Sequence, residues 1–277
     1  MSYKTVLVHA DLSPHAPARF RLAAALAQSH GAHLVGAAMT GLSRFVYPDN
    51  PSELARTVIA GYADTLYQGA SEALARFEAI ARASGVASFE PRLVSDDPEG
   101  GLVQLSRFCD LLVLSQTDPA HAVAGAVRDL PEYVMLGAVR PVLLAPHARD
   151  CAGVDGCAVV AWNGSPEATR AIDHALPLLR CAAQVVVASF DEDGSGRHSA
   201  QLPDLLSWLG RHGIEAELHE QKTADGAGSA LLSLAQQRRA ALIVMGGYGH
   251  TRFHELMLGG ATRTILTHTT TPVLMSH

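Results

Sequence analysis

Lysine is nearly absent. Lys4 and Lys222 are the only two in 277 residues, and every other basic side chain that is not histidine is arginine. Neither lysine sits in a phosphate-loop motif or offers an evident Schiff-base nucleophile. Cysteine is scarce too: Cys109, Cys151, Cys157 and Cys181 form no Cys-x-x-Cys pair, so neither a thioredoxin-like nor a zinc-finger site is signalled. They read as reduced, small apolar residues. Basic charge of the kind that grips nucleic acid is missing, because the net charge is -6 and the sequence pI about 6.1. No apolar run approaches the ~20 residues that span a bilayer. The opening Met-Ser-Tyr-Lys-Thr-Val-Leu-Val reads as a strand rather than a signal peptide. The expectation is therefore a cytoplasmic protein that engages neither nucleic acid nor membrane.

Catalytic signatures are also lacking. There is no Gly-x-Ser-x-Gly elbow for a serine nucleophile. His250 and His254 are four apart, yet the neighbouring acid, Glu255, is not in a His-Glu-x-x-His arrangement, so no metal site is expected. Asp96-Asp97-Pro-Glu reads as helix capping, as does Asn163-Gly-Ser165-Pro166. No convergent acid and base suggests an enzyme.

What is present is a packed globular composition, 48% hydrophobic and 17% charged, at a length that suggests about two domains. The chain writes one pattern twice. Thr5-Val-Leu-Val-His-Ala-Asp-Leu-Ser-Pro14 matches Ala158-Val-Val-Ala-Trp-Asn-Gly-Ser-Pro166. Asp110-Leu-Leu-Val-Leu-Ser115 matches Ala241-Leu-Ile-Val-Met-Gly246, and Arg140-Pro-Val-Leu-Leu matches Thr271-Pro-Val-Leu-Met. The openings are offset by 152 positions (Pro14 to Pro166) and the closings by 131 (Pro141 to Pro272). The first copy therefore holds 21 extra residues, placed at 41–62.

Alternating apolar runs and helical stretches predict strands near 5–9, 33–39, 89–94, 110–115 and 141–145, and then near 158–161, 184–190, 214–219, 241–245 and 272–276. Helices are expected at 16–29, 98–108, 166–180, 203–212 and 226–239, with another after Gly260. This is an α/β chain of two doubly wound, Rossmann-like parallel-sheet domains. The boundaries are 1–148 and 155–277, because Pro146 to Gly156 breaks all periodicity.

Gly246, Gly247 and Gly249 follow one core strand directly, and Gly259 and Gly260 precede a helix. Bare backbone at a strand end and a helix start suits an anion, through close approach and unpaired N–H groups. The alternative is that these glycines only make tight turns. Gly246-x-x-Gly249, nine residues, then Gly259 resembles the nucleotide loop of the universal stress protein family, and the repeat looks like a tandem member. The resemblance implies a five-stranded parallel sheet per domain and an adenine nucleotide, ATP or ADP, with or without Mg²⁺. It also implies a role as a stress-response binding or signalling module with unidentified protein partners, and homodimer formation. Site residues carried over are Ala161, Asn163, Met245, Gly246, Tyr248, Gly249, His250, Gly259, Gly260, Ala261 and Thr262. Gly260 departs from the pattern, which has Ser or Thr there. In the first copy the glycines become Ser115, Asp118, Arg128 and Asp129. That copy is not expected to hold nucleotide, and Asp11 is expected to cap the following helix. The alternative function is an interaction protein whose pocket is a remnant.

Overall fold

The computed structural model describes residues 2–41, 53–121, 130–151, 153–192, 199–247 and 260–277. It divides into a first unit, Tyr3–Arg140, and a second, Pro141–His277.

In the first unit, β1 (Thr5–His9), β2 (His33–Met39), β3 (Phe89–Val94) and β4 (Leu111–Ser115) form a parallel sheet in the order β3-β2-β1-β4. β1 and β4 carry the apolar runs Val6-Leu-Val8 and Leu111-Leu-Val-Leu114, which are buried on both faces. The helices are α1 (Ala16–His30), α2 (Glu53–Ala83), α3 (Pro98–Leu105) and α4 (Leu130–Gly137). α1 stops at Gly31, whose φ of 61° is the left-handed closing turn that glycine adopts without penalty. α2 is 31 residues long and packs its Phe77 ring where a Cβ at Gly36 of β2 would be. The 41–62 insertion therefore ends inside a long helix, and its earlier part lies outside the described residues. The expected helix 98–108 is α3 followed by a tighter turn at Ser106–Phe108. Asp97 caps α3, accepting from the Gly100 N–H at 2.8 Å.

The second unit contains β5 (Val142–Ala145), β6 (Cys157–Ala161), β7 (Gln184–Asp191), β8 (Ala216–Lys222), β9 (Leu242–Gly246) and β10 (Val273–Ser276). Between them run α5 (Pro166–Leu179), α6 (Leu202–Arg211), α7 (Ala227–Gln237) and α8 (Gly260–His268). The order is β5-β10-β9-β6-β7-β8. All neighbours are parallel except one pair: β5 runs antiparallel to β10, with Leu143 opposite Leu274. The strand that closes the first repeat thus completes the second unit, and the mostly parallel sheet has one antiparallel seam. Both strands are wholly buried, so each covers an edge that the other would leave open. β8 runs to Lys222, three residues beyond the expected strand, because β7 pairs with it as far as Asp191.

Ser165 caps α5, its hydroxyl accepting from the Ala168 N–H at 3.1 Å, and Pro166 opens the helix.

Candidate functional site

In a doubly wound sheet, the ligand crevice opens where neighbouring strands hand their hydrogen bonds to opposite sides. In the second unit this happens between β6 and β9. Past the paired stretch, the Trp162 N–H donates to the Ala188 carbonyl at 2.8 Å, toward β7. The Gly247 N–H donates to the Ser276 carbonyl at 2.9 Å, toward β10. The two strand ends part, and Ala161, Asn163, Met245 and Gly246 border the gap.

The local chemistry assigns these residues different tasks. Met245 is buried in the sheet. Asn163 is exposed, and its Oδ1 accepts from the Ser165 N–H at 3.2 Å, which shapes the turn into α5. Gly246 is pressed against the first turn of α5: a Cβ there would lie 2.5 Å from the Ala168 nitrogen and 2.6 Å from the Glu167 carbonyl carbon. Its bareness lets helix and strand approach. Gly260 starts α8, is exposed, and has open space where a Cβ would stand. Ala261 packs against α7, where a Cβ on Gly228 would come 2.9 Å from the Ala261 Cα. Thr262 is buried. Tyr248, Gly249, His250 and Gly259 lie outside the described residues.

The matching crevice of the first unit, between β1 and β4, is filled. Arg19 reaches into it from α1 and is only 1% exposed. Its Nε donates to the His9 carbonyl at 2.9 Å, one terminal nitrogen donates to Ser115 Oγ at 2.5 Å, and the other to Asp11 Oδ1 at 2.9 Å. His9 Nδ1 faces Asp11 Oδ2 at 3.5 Å, and His15 Nε2 contacts Asp118 Oδ2 at 2.7 Å. Asp11 does not cap α1, correcting that expectation. The residue at the cap position is His15, whose side chain makes no capping hydrogen bond to α1, while Asp11 holds Arg19 and accepts from the Ser13 N–H at 3.0 Å. A buried guanidinium needs a counter-charge more than a helix end needs a cap.

The network shifts two ionisations. Burial pushes the His9 imidazole down to about 4; the Asp11 charge pulls it back up, and the Arg19 charge pushes it further down. Burial alone would raise the Asp11 carboxyl. The Arg19 guanidinium and His9 outweigh it, with hydrogen bonds from Ser13 and Arg19, and hold the carboxyl well below the usual carboxylate range.

The same repeat offset that aligns Pro14 with Pro166 aligns His9, Asp11 and Arg19 with Ala161, Asn163 and Ala171, while Ser115 aligns with Gly246. Three ionisable groups and a hydroxyl in one crevice correspond to small or neutral residues in the other. Sequence reasoning overlooked Arg19. The signal was there: it shares a helix face with Ala16 and Ala23, both buried.

Residues 158–277 match the model of the Universal stress protein family. Among solved structures, the chain is similar to a universal stress protein from Archaeoglobus fulgidus DSM 4304. The TM-score is 0.74 at 18% identity, covering 98% of this chain and 97% of that one. It is also similar to a functionally unknown protein from Pseudomonas aeruginosa PAO1, with a TM-score of 0.60 at 16% identity, covering 99% and 92%. At these identities the likeness shows the fold. No curated protein matches the sequence closely enough to count as a relative. Among the described residues, no helix is long and apolar enough to cross a membrane.

Proposed function

We propose, from the match of residues 158–277 to the Universal stress protein family model, that the repeat at 155–277 binds an adenine nucleotide, ATP or ADP, in the crevice between β6 and β9. The repeat at 1–148 serves as its non-binding partner. In this reading Mg²⁺ accompanies the phosphates. The chain acts as a binding module whose occupancy is read by other proteins, rather than as a catalyst.

One observation carries this reading. The first crevice is closed by Arg19 and its partners, whereas Ala161, Asn163, Ala171 and Gly246 stand at the corresponding positions of the second. The N-terminus of α8 supports it, because helix starts favour negative charge and Gly260 there carries no side chain to obstruct an anion.

Calorimetric titration with ATP, ADP and AMP tests the reading. Heat saturating below about a millimolar with at least one of them is expected, a modest affinity on the usual scale. No heat with any of the three retires it. Native mass spectrometry of the purified protein reports copurified ligand and subunit number together, and so tests a homodimer in the same measurement.

A second reading has its own support. Gly246 is already explained by the approach of α5, so the crevice would persist as a structural remnant in an interaction protein. Partner binding that survives Gly249→Asp unchanged would favour it.

A further inference from the structure

The second unit contains a cleft of about 380 Å³ between α5 and α6. This lies within the roughly 300–1,000 Å³ range of small-molecule sites. Trp162, Ile172 and Leu205, all buried, and the half-buried Trp208 supply apolar surface. The exposed Gln201 and Asp204 stand at its mouth. Among the described residues, its lining shares none with the proposed nucleotide crevice: Ala161, Asn163, Met245, Gly246 and Gly260 do not border it.

Three observations point to an occupant. First, Trp162 is 9% exposed, and its buried indole N–H has no hydrogen-bond partner among the described residues. Buried donors are nearly always paired, and an unpaired one is costly. A phenylalanine would pack a similar wall without that cost. Second, Asp204 is the only acidic or basic side chain among the described residues that border the cleft. The described residues offer it no ion pair. Third, Trp208 lies one helical turn from Asp204 on α6 and also borders the cleft, with its ring against the His212 ring at a centroid distance of 4.3 Å. A carboxylate and an indole ring on one cleft suit a cation with an apolar body.

We propose that the cleft between α5 and α6 binds a small organic cation. The ligand is a protonated amine on a body of one-ring size, with a hydrogen-bond acceptor that reaches Trp162 Nε1. The ammonium faces Asp204 and the Trp208 ring, and the body lies on Ile172 and Leu205. This site does not depend on nucleotide binding.

The chain provides its own reporter, because Trp162 and Trp208 are its only two tryptophans and both border the cleft. Three probes differ by one feature each: tyramine carries cation and acceptor, phenethylamine lacks the acceptor, and para-hydroxyphenylacetate reverses the charge. Tyramine is expected to change the tryptophan emission saturably. Phenethylamine should bind about fivefold more weakly for want of one neutral hydrogen bond. The anion should bind at least about tenfold more weakly than tyramine, since it meets a like charge. Trp162→Phe, read through Trp208, should bring tyramine down to phenethylamine. Asp204→Asn, on an exposed surface that any folded variant keeps, should narrow the gap between cation and anion. Saturating ATP should displace none of them. The proposal is overturned if no probe gives a saturable change, if the anion binds as well as the cation, or if ATP competes.

Discussion

Arg19 and Asp11 are eight residues apart, and their side chains meet at 2.9 Å across the mouth of the β1–β4 crevice. This contact makes the first unit different from the second. Arg19 is almost fully buried, while a third of the Asp11 side chain is exposed. The guanidinium also ties β1 to β4 through the His9 carbonyl and Ser115 Oγ. The crevice is thus occupied by a structural cation.

Arg19→Ala should destabilise the first unit by about 2–4 kcal/mol. It breaks a buried, hydrogen-bonded ion pair and leaves Asp11 and Ser115 without their donor. Urea unfolding followed by far-UV circular dichroism measures it. A loss near zero would mean that water replaces the guanidinium freely.

His9 predicts an acid-sensitive first unit. Its folded pKa is depressed to about 4 from 6.5. Above 6.5 the imidazole is neutral in both states and no stability is lost. As pH falls from 6.5 toward 4, the unfolded chain takes up the proton and the folded one does not, so stability drops by up to about 3 kcal/mol. Asp11, depressed below its usual range, adds a further loss at still lower pH. His9→Gln should remove most of the dependence between pH 6.5 and 4. An unchanged slope would show that other groups set it.

Gly246→Ala should lower the melting temperature without any nucleotide present. The added methyl would lie 2.5 Å from the Ala168 nitrogen, and relieving such backbone contact costs about 1–3 kcal/mol. If the variant melts like the parent, α5 is not seated on Gly246 as described.

Gly260→Ser tests the proposed site in the opposite direction. The position has open space and no positive φ, so the side chain fits with little change in stability. A hydroxyl bonding a charged phosphate oxygen is worth about 1.5–3 kcal/mol, which is roughly tenfold to a hundredfold in affinity. Calorimetry should show ATP binding tightened within that range. Unaltered affinity would place the phosphates away from the start of α8.

Most strands and helices were legible because their signals are local. Leu-Leu-Val-Leu in β4 and Ile-Val-Met in β9 read as strands buried on both faces, and Ser165-Pro166 and Gly31 mark helix ends. The repeat was legible for the same reason, since equal spacing between like patterns needs no coordinates. The antiparallel pairing of β5 with β10 was not legible. An apolar edge strand shows that it will be covered, but carries no information on which strand covers it or in which direction.

The candidate site divides along the same line. The amino-acid order alone set the glycines after β9 and before α8, and the replacement of Asp11 by Asn163 and of Ser115 by Gly246 between the repeats. Those are statements about which residues follow a strand, and strand ends carry the crevice in this class of sheet. Only the folded structure decided what fills each crevice. Arg19 lies 96 positions from Ser115 along the chain, and α5 comes to rest on Gly246 at Ala168, 78 positions earlier in the chain. Contacts between distant segments depend on how helices seat on strands, and that is settled by packing in three dimensions rather than by any local pattern.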